Sequence, residues 1–165
     1  MEGGPILQRV RDVLGAALVE THEHRGDATA VVERRALVDL LRACRDEPAL
    51  GFDVLMDLTA VDYLTYPGRE DGPRFEVVYH LYSVAHHHRL RVKVRVDEDD
   101  AVVPTAVGLW PIANWFEREV WDMFGVRFAG HPDLRRLLMY EQFAGHPLRK
   151  DYPINRRQPL IGPPA

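Results

Sequence analysis

Between Arg89 and Val96 the chain alternates without a break, with Leu90, Val92, Val94 and Val96 set against Arg89, Arg91, Lys93 and Arg95. A period of two puts the apolar residues on one side of a strand and the cations on the other. Any fold of this chain therefore contains a sheet with one packed and one wet face, as antiparallel sheets permit. Phe75 to Val84 precedes this run across Ala85-His86-His87-His88 and completes a hairpin. With Val84 opposite Arg89, the apolar row meets Ser83, Leu81, Tyr79 and Val77, and the basic row meets Val84, Tyr82, His80 and Val78. The three histidines read as a loop tip whose side chains diverge.

Alternating cations beside Tyr82 also suit a phosphate-tracking sheet, so a nucleic-acid-binding domain using Arg91, Lys93 and Arg95 is a rival reading. Against it stand the net charge of −4 and the acidic run Asp97-Glu98-Asp99-Asp100 that follows at once. A solvated face, or an edge protected by charge, is favoured.

The remaining elements follow from periodicity and breakers. Pro5 to Glu20 keeps helical spacing through Ile6, Val10, Val13, Leu14, Ala17 and Leu18. His22 to Asp27 is a polar break; His22 and His24 lack a second ligand pair at zinc-site spacing. Ala28 to Glu33 predicts a short strand, and Arg35 to Arg45 a helix with Leu37, Leu40, Leu41 and Cys44 on one face, ended by Glu47-Pro48. Phe52 to Tyr63 is apolar on both alternations and reads as an interior strand covered on both faces. Asp57 and Asp62, five apart within it, point to opposite faces and do not form a catalytic dyad. Tyr66 to Arg74 is a loop by its Pro and Gly content.

The densest stretch is Trp110 to Lys150. Pro111 suits a first helical turn and Gly125 a stop. At 100° per residue, Ile112, Phe116, Val120 and Met123 share an arc of about 80° that should face a core, with Ala113, Phe124 and Trp115 at its margins. Arg118 and Asp122 fall on the far side, four residues apart and able to pair, whereas Glu119 lands on the apolar border and Trp121 on the polar side. A carboxylate on that border needs a partner, so Glu119 is expected to be held by Arg135 or Arg136. The plainer alternative is a structural ion pair of no functional meaning. The phrase Phe-Ala-Gly-His-Pro occurs twice, at Phe128 to Pro132 and Phe143 to Pro147. From Ala129 onward Arg and Lys number six against three Asp and Glu, and six prolines begin at Pro132. This basic arm should gain order only by lying on its own domain or on a neighbour.

At 165 residues the chain suits one domain. Cys44 stands alone, which excludes an intrachain disulfide and an ordinary iron–sulfur cluster held within the chain. The longest uncharged run, Ala101 to Phe116, is interrupted by Pro104, Gly108 and Pro111 and is short for a membrane span. The first residues carry no signal-peptide core, so the chain is expected to stay on the side of the membrane where it is made. No Gly-rich phosphate loop, paired acids or nucleophile–His arrangement supports an independent enzyme.

Three linked segments, Glu117 to Gly125, Phe128 to Leu138 and Gly145 to Pro153, with Asp62 to Pro67 at the exit of the central strand, closely resemble the 30-kDa subunit family of respiratory complex I. The resemblance implies an α+β fold, an α/β sandwich with a mixed, partly antiparallel sheet and helices packed on it. Residues 1–128 would form that domain and residues 129–165 an extended, basic, Pro-rich docking arm. It implies a structural and assembly subunit of the peripheral arm of a proton-translocating NADH:quinone oxidoreductase, with no cofactor of its own; NADH, FMN, iron–sulfur clusters and quinone would belong to other subunits. Implied partners are the large quinone-site subunit (49-kDa type) and neighbouring iron–sulfur subunits, with no nucleic acid. Membrane association, at the cytoplasmic face of the bacterial inner membrane, would come only through the complex. Related membrane-bound hydrogenases and chloroplast-type dehydrogenases carry the same module with another electron donor. On this reading Glu117, Arg118, Glu119, Trp121, Asp122, His131, Arg135 and Arg136 order the helix and the arm, while His146, Arg149, Lys150 and Asp151 belong to the part that lies along the partner.

Overall fold

A computed structural model describes residues 4–158. Helix α1 (Pro5–Leu14) is followed by a hairpin of β1 (Leu18–His24) and β2 (Asp27–Val32), then by α2 (Leu37–Asp46) and three long strands, β3 (Val54–Asp62), β4 (Phe75–Ser83) and β5 (His88–Val96). The short strand β6 (Val102–Pro104), helix α3 (Ala113–Phe124) and the short strand β7 (Arg127–Ala129) complete the regular structure. The five long strands form one mixed sheet in the order β1-β2-β5-β4-β3, with β2 and β5 parallel and the other pairs antiparallel. β6 and β7 make a separate parallel pair. The α+β sandwich with a mixed sheet is thus the fold observed.

The alternation of β5 works as expected. Leu90, Val92, Val94 and Val96 are buried beside Phe75, Val77, Tyr79 and Leu81 of β4, and Leu7, Leu37, Leu41 and Phe52 close over them. Each such side chain contributes roughly 1.5–3 kcal/mol by leaving water. The register differs by two residues from the expected one: Tyr82 faces Arg89 and Leu81 faces Leu90, because the turn spans the residues between Ser83 and His88. An even shift keeps each face intact.

The histidine tip does not diverge. His86 and His88 stack with ring centroids 5.2 Å apart, and their Nε2 atoms meet the carbonyls of Pro48 and Leu50 at 2.8 and 2.7 Å. They fasten the hairpin to the connection between α2 and β3. Cys44 is buried, and burial pushes its thiol up to about 12, as befits an inert core residue.

Two expectations about element boundaries and position fail. The first helix ends at Leu14, six residues early, because Gly15 adopts φ +45° and the residues from Leu18 onward pair with β2. The polar break is mostly strand and holds the hairpin turn at its centre, with Arg25 and Gly26 both at positive φ as a primed two-residue turn requires. β3 is an edge strand and not an interior one; Val54, Met56 and Val61 are exposed on its outer side. Its two acids do lie on opposite faces, Asp62 buried with Leu58 and Ala60 and Asp57 exposed.

Candidate functional site: the clasp between the third helix and the C-terminal arm

Helix α3 lies on β3 and ends at Gly125, whose left-handed backbone (φ 80°, ψ 10°) lets its N–H bond the Trp121 carbonyl at 2.9 Å. Its buried arc runs through Ala113, Glu117, Val120, Met123 and Phe124, a rotation of about 40° from the arc drawn by periodicity. That rotation exchanges the roles of two acids. Glu117 is fully buried, whereas Glu119 is exposed and forms no ion pair with Arg135 or Arg136. The expectation for Glu119 is therefore corrected: the apolar margin near it, Ile112 and Trp115, is itself in water.

Arg118 and Asp122 do not pair with each other. They are buried because the arm crosses the polar side of the helix. Asp122 is the centre of this contact. Its Oδ2 accepts the main-chain N–H groups of Leu137, Leu138 and Met139 at 3.0, 2.8 and 2.9 Å, and its Oδ1 accepts Arg136 Nη1. Burial opposes a charge there, but these donors outweigh it and hold the carboxyl below the usual carboxylate range. Arg118 donates from Nε and Nη2 to the carbonyls of Arg135 and Arg136, both at 3.1 Å. Arg136 also donates to the carbonyls of Phe143 and Gly145, at 2.8 and 3.1 Å, with its guanidinium 5.8 Å from the half-buried Trp121 ring. His131 accepts the Asp133 N–H at Nδ1 and donates from Nε2 to the Asn114 carbonyl at 3.1 Å. The Arg135 side chain points outward and, among the described residues, pairs only with Asp133.

The second copy of the Gly-His-Pro phrase caps the end of the helix. His146 Nδ1 bonds the Asp122 carbonyl at 3.0 Å, the Leu148 N–H bonds the Met123 carbonyl at 3.0 Å, and Arg149 Nε donates to the Phe124 carbonyl. These carbonyls have no partner within a helix, so the arm supplies what the helix end lacks. Burial lowers the His146 pKa, and the neighbouring Arg149 and Arg136 add to the effect.

The arm is packed so closely that a Cβ on Gly125 would sit 2.6 Å from Arg149 Nη2 and 2.8 Å from His146 Cδ2. Gly125→Ala is expected to lower stability by about 2 kcal/mol through the left-handed backbone alone, with the clash loosening the arm as well. Limited proteolysis should cut the variant within the arm faster than the wild type.

A charge cluster beyond the helix end completes the clasp. Asp62, at the end of β3, accepts Arg74 Nε and Nη2 at 3.0 and 2.8 Å and the Lys150 N–H at 2.8 Å. Arg74 also meets Glu98 at 2.7 Å and Asp151 at 2.7 Å, and Arg149 meets Glu98 at 3.3 Å. Burial would raise the Asp62 carboxyl, yet Arg74 and the N–H groups of Lys150 and Leu64 bring it below its ordinary range. The side chains of Arg149 and Asp151 are thus engaged within the chain, whereas that of Lys150 is exposed and pairs with no acid among the described residues. Hence Arg149→Ala should lower the melting temperature while Lys150→Ala leaves it unchanged, and calorimetry of the two single variants separates them.

Sequence reasoning missed Asp62, Arg74 and Glu76. Glu76 accepts Lys93 at 2.9 Å, Arg69 and Arg95 at 3.1 Å and the Tyr63 hydroxyl at 2.9 Å. Burial works against its charge, but Lys93, Arg95 and Tyr63 prevail and hold it at about 2. For Asp62 strand parity was the available signal, since it falls in step with buried Leu58 and Ala60. The same contacts neutralise most of the basic row: Lys93 and Arg95 are spent on Glu76 and Glu20, and Arg91 lies 3.6 Å from Asp27. A phosphate-tracking face is not what this geometry offers.

The clasp has the chemistry of a structural joint. Among the described residues no group of three or more His, Cys, Asp or Glu is placed to hold a metal, and no helix is long and apolar enough to cross a membrane.

Comparison with known proteins gives this arrangement its family. Residues 30–158 match the family described as respiratory-chain NADH dehydrogenase, 30 Kd subunit. An NADH-quinone oxidoreductase subunit of the C type from Roseiflexus is 48% identical over 158 residues, covering 96% of this chain and 88% of that one. Another of the same type from Acidithiobacillus ferrooxidans is 47% identical over 150 residues, covering 90% and 74%. Among solved structures, a trypsin-resistant fragment of Nqo5 superposes with a TM-score of 0.69 at 36% identity, covering 78% of this chain and 99% of the fragment. A chain of the membrane-bound sulfane sulfur reductase, an archaeal respiratory membrane complex, gives 0.73 at 27% identity and covers 94% and 88%. The matched span takes in the end of β2, the strands β3 to β5, α3 and the arm that clasps it, and the chain belongs to the 30-kDa subunit family of the respiratory-chain NADH dehydrogenase.

Proposed function

We propose that this chain is a structural subunit of the peripheral arm of a proton-translocating NADH:quinone oxidoreductase, with no catalytic centre of its own. The observation that carries the reading is the family match across residues 30–158, which takes in most of the domain together with its clasped arm. Its contribution is positional: electrons move between fixed centres held by other subunits, and a rigid body bound over a large interface keeps those centres in register. The interior supports this role, since its single thiol is buried and pushed up to about 12. Leu138, Leu148 and Ile154 stand exposed along the arm, apolar surface of the kind a partner covers. On this reading the partners are the large quinone-site subunit and the iron–sulfur subunits beside it, and the chain sits at the cytoplasmic face of the membrane through them.

The test is deletion and re-expression. Membranes lacking this chain should lose NADH:quinone activity and the intact complex, and the wild-type chain should restore both. Normal activity in the deleted membranes would refute the proposal. The likeness to a chain of the sulfane sulfur reductase favours a second reading, the same module in a membrane-bound complex fed by another donor. Donor specificity of the restored activity separates the two.

A further inference from the structure

β3 is a nine-residue strand at the edge of the sheet. Its ladder to β4 runs without interruption from Asp57 to Asp62. On its other side, among the described residues, no backbone hydrogen bond joins it to another segment. Natural edges are blunted by shortness, charge, proline, bulges or a cover; here acids stand only at the two ends, Asp57 and Asp62, with no charge between them. Asp57 to Asp62 contains neither lysine nor proline. The bulge between Leu55 and Asp57 disturbs only the stretch before it.

Helix α3 supplies one wall of this edge. Glu117 reaches Thr105 and Ala106, both at 2.6 Å, in the connection whose Leu109 carbonyl accepts Arg45 of α2, so that flank of the helix points toward the middle of the sheet. The opposite flank, about 140° around the helix, therefore overhangs the free side of β3. It carries Ile112, Trp115 and Glu119, and Trp115 is 55% exposed. Met56, 49% exposed, and Val61 form the other lip. The open main chain thus lies between two apolar margins, with the acids Glu119 and Asp57 exposed beside them.

We propose that the open side of β3 receives an extended segment of a partner subunit, which adds a strand along Asp57–Asp62 and presents apolar side chains to Trp115 and Met56 and a Lys or Arg to Glu119 or Asp57. Strand addition takes its affinity from main-chain hydrogen bonds and its specificity from alternate side chains. Charge decides against a second copy of this chain, because its own β3 carries no Lys or Arg to meet Glu119 or Asp57 and would bring only further acids to them. The Lys150 N–H on Asp62 marks where the clasped arm reaches the end of this strand, so a subunit lying along the arm meets the edge without a gap. The inference rests on the subunit reading given above.

Hydrogen exchange of the full-length chain, purified alone and within the complex from membranes, tests it. Alone, the outward-facing amides of Asp57–Asp62 should exchange freely while their β4-bonded neighbours are slow; within the complex the outward amides should slow by at least about tenfold. Val61→Lys, at an exposed position, should leave the melting temperature of the chain unchanged and reduce its recovery with the complex several-fold. A chain that enters the complex with those amides still exchanging freely overturns strand addition while leaving the subunit reading intact, as does Val61→Lys recovered at the wild-type level. Protection that already rises with concentration in the chain alone would assign the edge to a second copy and overturn the proposal. A chain that enters no complex overturns the subunit reading, and this inference with it.

Discussion

Asp122→Ala lowers the melting temperature of the full chain by about 10 °C, the largest effect expected of any single side chain in the clasp. The substitution leaves three main-chain N–H groups and the Arg136 guanidinium without their acceptor. Removing one partner of a buried, hydrogen-bonded charge costs roughly 3–5 kcal/mol. Arg136 keeps some exposure and two carbonyl partners, so the lower end, about 3 kcal/mol, applies. For a domain of this size each kcal/mol moves the midpoint by about 2–4 °C. Asp122→Asn, which keeps one acceptor and loses the charge, should fall between the variant and the wild type. Loss of the carboxylate should also expose Leu137 to Met139 to exchange before the sheet opens. Uniform exchange across chain and arm in Asp122→Ala would contradict the clasp.

Glu117→Gln acts in the opposite direction and reveals itself through pH. Burial raises the Glu117 carboxyl to about 7, against an ordinary 4.5, and the Thr105 hydroxyl and Ala106 N–H recover only part of that cost. Between those two values the folded chain holds a proton that the unfolded chain has released, so this residue's contribution to stability falls as pH rises through the window. The loss amounts to as much as about 3 kcal/mol above pH 7. The glutamine variant lacks that slope, should match the wild type near pH 4.5, and should be the more stable protein at pH 8. Asp62, Glu76 and Asp122 behave in the opposite sense. Their lowered values give stability that is present above the ordinary carboxylate range and lost as pH falls below it. Denaturant titrations at several pH values measure both limbs.

The sheet is legible wherever local pattern carries it. Alternation along β5 names its buried face whatever the register, because a shift of two residues exchanges nothing between faces. Strand order lies beyond such patterns. Phe52 to Tyr63 reads as interior because Val54, Met56 and Val61 are apolar, and only the crossover that leaves β3 at the border puts them in water.

In the clasp, the motif residues are visible in the sequence but their partners are not. Asp122 binds residues 15 to 17 positions further on, and Asp62 binds Lys150 across 88 positions. Helical periodicity sees neither distance. It places Glu119 inward because it weighs Ile112 and Trp115 as core, whereas a rotation of about 40° buries Glu117 in their stead.

The central claim, that this chain works by holding neighbours in place, is tested most directly by native mass spectrometry of the tagged chain taken gently from membranes. The prediction is an assembly that contains cluster-bearing subunits and reduces quinone with NADH, from which the released chain emerges at its polypeptide mass. A chain that leaves the membrane alone, or one whose own mass includes a redox centre, would contradict it.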